Sequence, residues 1–264
     1  MYINIKDLSV TYRSSRGDVE ALKDINISIE SGKFVSIIGP SGCGKSTLLK
    51  VIAGLVKPTR GEVWINGEKL EGVPRNIGFV FQEDTLLPWR DVVGNVELGL
   101  EIRGIEKDKR RKRALELIKM AGLEGFEHKM PHELSGGMRQ RVALIRTLAY
   151  DPEIVLMDEP FGALDAQTRV ILQDELLKIW QETKKTIIFV THDLGEAITL
   201  SEVIVLLTRR PGTIKRVCNV PIPYPRSALN VRLSNEFTEI FNDLWRDLRE
   251  EVVKVKVHET KAGG

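Results

Sequence analysis

The sequence predicts an α/β fold organised on a parallel sheet, and three observations carry that reading. A glycine-rich loop, residues 39–47 (GPSGCGKST), lies between the apolar run 34–38 and the helix-forming run 48–53. Three more apolar runs, 77–81, 154–157 and 186–191, lead into Gln82, Asp158 with Glu159, and His192. Parallel strands would gather those polar ends at one edge, beside the loop. From residue 83 to about 150, apolar residues recur every three or four positions, which inserts helices between two of the strands.

The loop satisfies the phosphate-binding pattern G-x-x-x-x-G-K-[ST] without departure. Its glycines let successive backbone N–H groups point into one hollow, and the helix starting near Lys45 adds free N–H groups and the positive end of its dipole. Gly39, Pro40, Ser41, Gly42, Cys43, Gly44, Lys45, Ser46 and Thr47 are therefore the candidate cradle of a nucleotide. Lys45 would reach the β- and γ-phosphates, and the Ser46 hydroxyl would be one ligand of a magnesium ion. A glycine turn without function would explain neither the strand before it nor the helix after it.

With 264 residues the chain can bury one sizeable core, close to the ~250–300 residues at which single cores divide. One domain with an inserted subdomain is expected. Charged residues make up 29% and hydrophobic ones 42%, an ordinary globular balance that confines expected disorder to the last few residues. The 39 basic and 37 acidic residues leave a net charge of +2, too little to hold the chain on nucleic acid or acidic lipid. The basic run at Lys107 and 109–113 continues into an amphipathic pattern and reads as a solvated helix face. Cys43 and Cys218 make no disulfide framework, so a reducing, cytosolic compartment is expected. No apolar run approaches the ~20 residues of a membrane span; another chain would have to do any spanning.

Taken in order, residues 1–38 read as strands at 4–10 and 21–29 and the strand into the loop, with a turn at Ser31-Gly32. Tyr12, in a polar segment ahead of the nucleotide site, either stacks on a base or simply packs. Gly54 and Pro58 end the helix after the loop, and 62–67 looks like a strand entering a turn. Helices are expected at 92–102, 107–121 and 136–148. His128 and His132 have the spacing of a metal pair, but Pro131 between them argues against a shared helix face. Pro211, Pro221, Pro223 and Pro225 mark an irregular connection to a last helix whose stripe of Phe237, Ile240, Phe241, Leu244 and Leu248 suits packing. There is no internal repeat.

Leu134-Ser135-Gly136-Gly137-Met138-Arg139-Gln140-Arg141, taken with the loop and Asp158-Glu159, resembles the LSGGQ signature of the ATP-binding subunits of ABC transporters. The resemblance covers residues 3 to about 235. It implies a P-loop NTPase (RecA-like) mixed-sheet core, an antiparallel β subdomain, and an inserted α-helical signature subdomain at about 84–150, followed by a C-terminal helix and tail at 236–264. By the same resemblance Tyr12 matches the aromatic that stacks on adenine, and Gln82 the residue that senses magnesium and the attacking water. Asp158 matches the magnesium ligand, Glu159 the base that polarises water, and His192 the switch that contacts the γ-phosphate. Ser135, Gly136 and Gly137 would close on ATP held by a second copy, and Ala163-Leu164-Asp165 match the loop that meets that copy. Met138 departs from the family's Gln, which touches the detail of that loop and not the ATPase assignment.

A finer likeness, to importers of the nitrate, sulfonate and taurine type, rests on residues 81–90 (FQEDTLLPWR), the Met-bearing signature, 161–165 (FGALD) and the turn at Arg210-Pro211-Gly212. It implies a homodimer bound to integral membrane permease subunits on the cytoplasmic face, with an extracytoplasmic solute-binding protein in the complex. Exposed Leu86, Leu87 and Trp89 would meet the permease. Another solute such as a thiamine precursor, export instead of import, or a soluble switch on DNA or the ribosome are the alternatives. The last lacks its usual coiled-coil insertion or fused second nucleotide domain. A phosphotransferase would leave residues 134–141 unexplained.

Overall fold

The computed structural model describes residues 2–15, 17–162 and 164–262. Met1, Arg16, Ala163 of the partner-facing segment and the final two glycines of the tail therefore lie outside the described residues. Strands β1 (Tyr2–Tyr12) and β2 (Val19–Glu30) form an antiparallel pair with β-bulges, and β3 (Phe34–Ile38) runs into the loop and helix α1 (Lys45–Ile52). The chain then returns to β1 through β4 (Arg60–Ile65), which a tight turn joins to a two-residue strand β5 (Glu68–Lys69). Next come β6 (Ile77–Val80) and three helices, α2 (Val92–Ile102), α3 (Lys107–Met120) and α4 (Gly136–Ala149). After them lie β7 (Ile154–Asp158), α5 (Ala166–Thr183), β8 (Thr186–Val190), α6 (Leu194–Leu200), β9 (Val203–Leu207), β10 (Ile214–Asn219) and α7 (Asn235–Ala262).

Among the described residues there are two sheets. One is antiparallel, in the order β2-β1-β4-β5; the other runs β10-β9-β3-β8-β7-β6 and is parallel except for β10. The mixed core and the antiparallel sheet are those the sequence implied. Every residue of β3, β7 and β8 is buried, which is why these strands read as unbroken apolar runs and not as alternation. Strand β2 alternates more, with Leu22, Ile25 and Ile29 turned inward.

Leu48, Leu49 and Ile52 of α1 pack between the sheets against Ile3, Ile5 and Val10 of β1, so the helix behind the loop is clamped on both sides. The opposite face of the parallel sheet carries Phe34, Phe161, Phe189 and Trp180 with Leu172, Leu176 and Leu177 of α5. Helices α2, α3 and α4 enclose a core of their own, including Val93, Val96, Ile118 and Val142. The stripe on α7 is a packing face: Leu244 is fully buried against Ile198 and Leu206, a contact worth about 1.5–3 kcal/mol for such a side chain.

Two parts differ from the expectation. The connection with its prolines contains strand β10, which closes the sheet edge against β9. Leu86 is buried in the helical core, while Leu87 is partly buried and Trp89 stands 72% exposed. Only Trp89 of the three presents its face to solvent.

Candidate functional site

The phosphate loop is shaped by what presses on it from behind. Gly44 caps α1 at φ 104°, and a Cβ there would lie 2.6 Å from Leu22 Cδ2 and 2.8 Å from the Ala21 carbonyl oxygen. A side chain would meet both strain and collision, so the loop closes tightly on β2 only as glycine. Gly212, bridged to Leu22, abuts the Cys43 carbonyl with no room for a Cβ, and its N–H donates to Ala21 O at 2.9 Å. The Arg210-Pro211-Gly212 turn singled out in the sequence is thus the floor under the loop. Cys43 itself points into the core, and burial pushes its thiol above the ordinary range, so what it offers a ligand is backbone.

Lys45 is buried, and its Nζ donates to Gly39 O at 2.9 Å and Pro40 O at 3.1 Å. The ammonium is folded into the hollow of its own loop, where it keeps hydrogen-bond partners for its charge. Next to it the Ser46 hydroxyl donates to Asp158 Oδ1 at 2.8 Å, joining α1 to the end of β7 across 112 residues of sequence. Asp158 is 5% exposed, and burial, with the neighbouring Glu159 charge, pushes its carboxyl up; the Ser46 bond, Lys50 and Lys45 pull the other way. A buried carboxylate with too little positive charge beside a hydroxyl is a pair of hard oxygen donors that suits Mg²⁺, which takes one or two protein oxygens and fills its octahedron with phosphate and water.

Glu159 has φ 46°, a sparsely populated conformation for a residue with a side chain. Its N–H donates to Val190 O at 2.9 Å and its carbonyl accepts from Gly162 N at 3.2 Å, which hold it there. Glu159 Oε2 lies 2.9 Å from Nδ1 of His192, whose side chain is 62% exposed. Ser46 with Asp158 and Glu159 with His192 thus form two adjacent pairs at the ends of β7 and β8 beside the loop, with Lys45 near enough for its charge to act on Asp158. Tyr12 ends β1 beside the loop, 43% exposed, with its hydroxyl 3.3 Å from Thr47 Oγ1.

Gln82 is exposed and follows the register pair Val80 and Met157, so it leaves the sheet next to the Asp158 end of β7. Ser135 caps α4, accepting from Met138 N at 3.3 Å, and Gly137 lies against Leu164 and Thr168. These signature residues are held apart from the loop's own hydrogen-bond network. His128 binds Asp91 at 3.0 Å and His132 sits in a short 3₁₀ turn at Pro131–Glu133, so the two do not share a helix face.

The family described as ABC transporter matches residues 22–162. An uncharacterized ABC transporter ATP-binding protein of Methanocaldococcus jannaschii is 51% identical over 252 residues, 96% of this chain and 93% of the relative. This chain belongs to the ABC transporter ATPases. The aliphatic sulfonates import ATP-binding protein SsuB of Bacillus cereus is 47% identical over 241 residues, 91% of this chain and 93% of the relative. Among solved structures, a dimeric ATP-binding cassette in a post-hydrolysis state with ADP and phosphate superposes with TM-score 0.76 at 40% identity, covering 84% of this chain and all of the other. This ABC ATPase therefore binds ATP and hydrolyses it to ADP and phosphate.

Several polar side chains of the cassette escaped the sequence reading. Asn95 is fully buried and bonds to Leu87 N, Leu87 O, Arg90 O and Asp91 O, which fixes the shape of residues 87–91. Arg139 donates to Asp84 Oδ2 at 2.8 Å, and Arg146 to Thr85 O at 2.9 Å, so α4 grips the segment after Gln82. Their one visible sign was an asparagine or arginine interrupting an apolar helical stripe.

Proposed function

We propose that this ATPase powers import of a small solute of the nitrate, sulfonate or taurine type through a separate permease. The observation that carries the catalytic part is the Ser46–Asp158 bond, which adjoins the Glu159–His192 pair through the consecutive residues Asp158 and Glu159. In this reading the ATP-binding domain spans 3–235, with a helical signature subdomain at about 84–150, and 236–264 is an appended helix and tail. Tyr12 stacks on adenine. Residues 39–47 cradle the phosphates, and Lys45 turns from its loop carbonyls to the β- and γ-phosphates.

Ser46 and Asp158 hold Mg²⁺ with Gln82 nearby; the ion, when bound, offsets charge on the β- and γ-phosphate oxygens. Glu159 orients water for in-line attack, and His192 contacts the γ-phosphate while bonded to Glu159. Two copies face each other so that Ser135, Gly136 and Gly137 of one complete the cage around ATP on the other, their N–H groups at the start of α4 serving as donors. The dimeric form of the solved relative supports this arrangement.

The name of the SsuB relative supports a sulfonate-type solute; in this reading an extracytoplasmic binding protein delivers it. Among the described residues no helix is long and apolar enough to cross a membrane, which suits a peripheral subunit on the cytoplasmic face, docked on permease chains through the segment carrying Trp89. Purification of the tagged protein from membranes, identification of its partner chains, and an ATPase screen with sulfonates, taurine and nitrate tests the reading. Sulfonate stimulation that requires the co-purified permease supports it. DNA- or ribosome-stimulated turnover with no membrane partner overturns it.

A further inference from the structure

Behind the turn that carries His192 lies a carboxylate with no part in the chemistry above. Glu196, on α6, is 4% exposed. Thr191 Oγ1 donates to Glu196 Oε2 at 2.6 Å, and Gln173 Nε2 of α5 donates to Oε1 at 3.3 Å. The Thr191 hydroxyl also accepts from Asp193 N at 3.0 Å, and Asp193 Oδ1 accepts from Glu196 N at 3.1 Å. Arg169 approaches from α5, its Nε 3.7 Å from Glu196 Oε1 and its Nη1 3.8 Å from Asp193 Oδ2.

Thr191 is therefore tied directly to the buried carboxylate of Glu196, and Asp193 is tied to it through the Thr191 hydroxyl and to the Glu196 backbone N–H. The His192 side chain is 62% exposed and, among the described residues, its hydrogen-bond partner is Glu159, so where the ring stands relative to that partner is set by the backbone of this turn. Burying a carboxylate is unfavourable unless it is paired and bonded, and here burial pushes the Glu196 carboxyl upward while the Arg169 Nε, itself buried, makes no hydrogen bond. An apolar side chain would serve packing at this position without that cost. What a carboxylate adds is direction: it holds the Thr191 hydroxyl, which in turn holds Asp193 N.

We propose that Glu196 is a positioning residue for ATP hydrolysis, fixing through Thr191 and Asp193 the turn that aims His192 at Glu159 and at the terminal phosphate. The inference rests on the role given to His192 above. Misplacement of a reacting group by about 1 Å can cost ~10²-fold in rate, so a turn loosened by less should lose about tenfold.

The test is a double-mutant cycle on the full-length protein, with Glu196→Leu, which removes the acceptor, and the near-isosteric Thr191→Val each made alone and combined with His192→Ala. The expected result is a drop in kcat of about tenfold for either single variant, with the affinity for a fluorescent ATP analogue and the Tm near wild type. In the His192→Ala background neither substitution should lower kcat further, because its route to the chemistry is already gone. Losses that multiply in full in that background, or that come with equal losses of nucleotide affinity, overturn the positioning role and leave His192 in place. Near wild-type turnover of His192→Ala alone instead overturns the reading of His192, and this inference with it.

Discussion

The wall formed by the phosphate loop and the strand ends is wired together by hydrogen bonds that span the sequence, whereas the start of α4 is bonded to its own surroundings. Ser46 to Asp158 and Glu159 to His192 are contacts across 112 and 33 residues of sequence. Among the described residues, the bonds at Ser135 stay within its own turn, and α4 reaches outward instead through Arg139 and Arg146 to residues 84–85. The first region is preorganised to receive a triphosphate, and the second is a helix start whose donors are fixed by its own turn. Such a division suits a cage closed by two bodies, since fixed donors on each cost no reorganisation when they meet.

The strongest way to break the comparison is at Glu159. General-base assistance contributes ~10²–10⁴ in rate, so Glu159→Gln should reduce steady-state phosphate release by that order while a fluorescent ATP titration stays near wild type. Hydrolysis close to wild type would remove Glu159 from the wall's chemistry. Lys45→Ala should act on the other quantity: a hydrogen bond to a charged group is worth about 1.5–3 kcal/mol, so nucleotide affinity should fall roughly 10- to 150-fold. An unchanged titration would mean that the ammonium stays with Gly39 O and Pro40 O when nucleotide binds.

The preorganised wall was also the more legible region, for physical reasons. Its residues announce themselves because a glycine loop and acids at the ends of apolar strands break otherwise uniform patterns. The helices around the signature were legible from their spacing, but the bonds of Asn95, Arg139 and Arg146 were not, since burial of a polar residue is decided by elements distant in sequence. Helix α5 went unread although Leu172, Leu176, Leu177 and Trp180 form a buried stripe, because polar residues interrupt it between two far stronger strand signals. Strand β10 was hidden in a different way: as an edge strand its residues are partly exposed, so apolar and charged side chains share both faces. Leu86 and Trp89 looked alike in sequence, and only the packing of α2 and its neighbours separates them.

The comparison sharpens at Asn95. Truncation to alanine leaves the Leu87 N–H without its 2.8 Å partner and takes an amide donor from the carbonyls of Leu87, Arg90 and Asp91, a penalty of about 1–3 kcal/mol for a buried donor. The expected outcome is a lower Tm, earlier proteolysis within residues 84–135, and unchanged ATP affinity, since the wall does not depend on this bond. Loss of ATP affinity in proportion to the loss of stability would mean that the two regions fold and bind as one unit.

The smallest expected effect lies at Asp158 and separates the wall's own stability from its service to a cation. Its folded-state carboxyl is raised above the ordinary value of 3.8, chiefly by burial. Over the window from that value up to the raised one, the native state binds more protons than the unfolded state, so this group's contribution to stability is intact below the window and is lost as pH rises through it. Asp158→Asn keeps an oxygen to accept from Ser46 and removes the charge. In EDTA, its Tm should match wild type at the acid end of the window and exceed it at the upper end. Added magnesium should then raise the Tm of wild type and leave the variant where it was, because a cation relieves the buried charge only where a charge exists. A variant less stable than wild type across the whole window without metal would show that the carboxylate is already neutralised by Lys45 and Lys50, and that the wall needs no cation to be at rest.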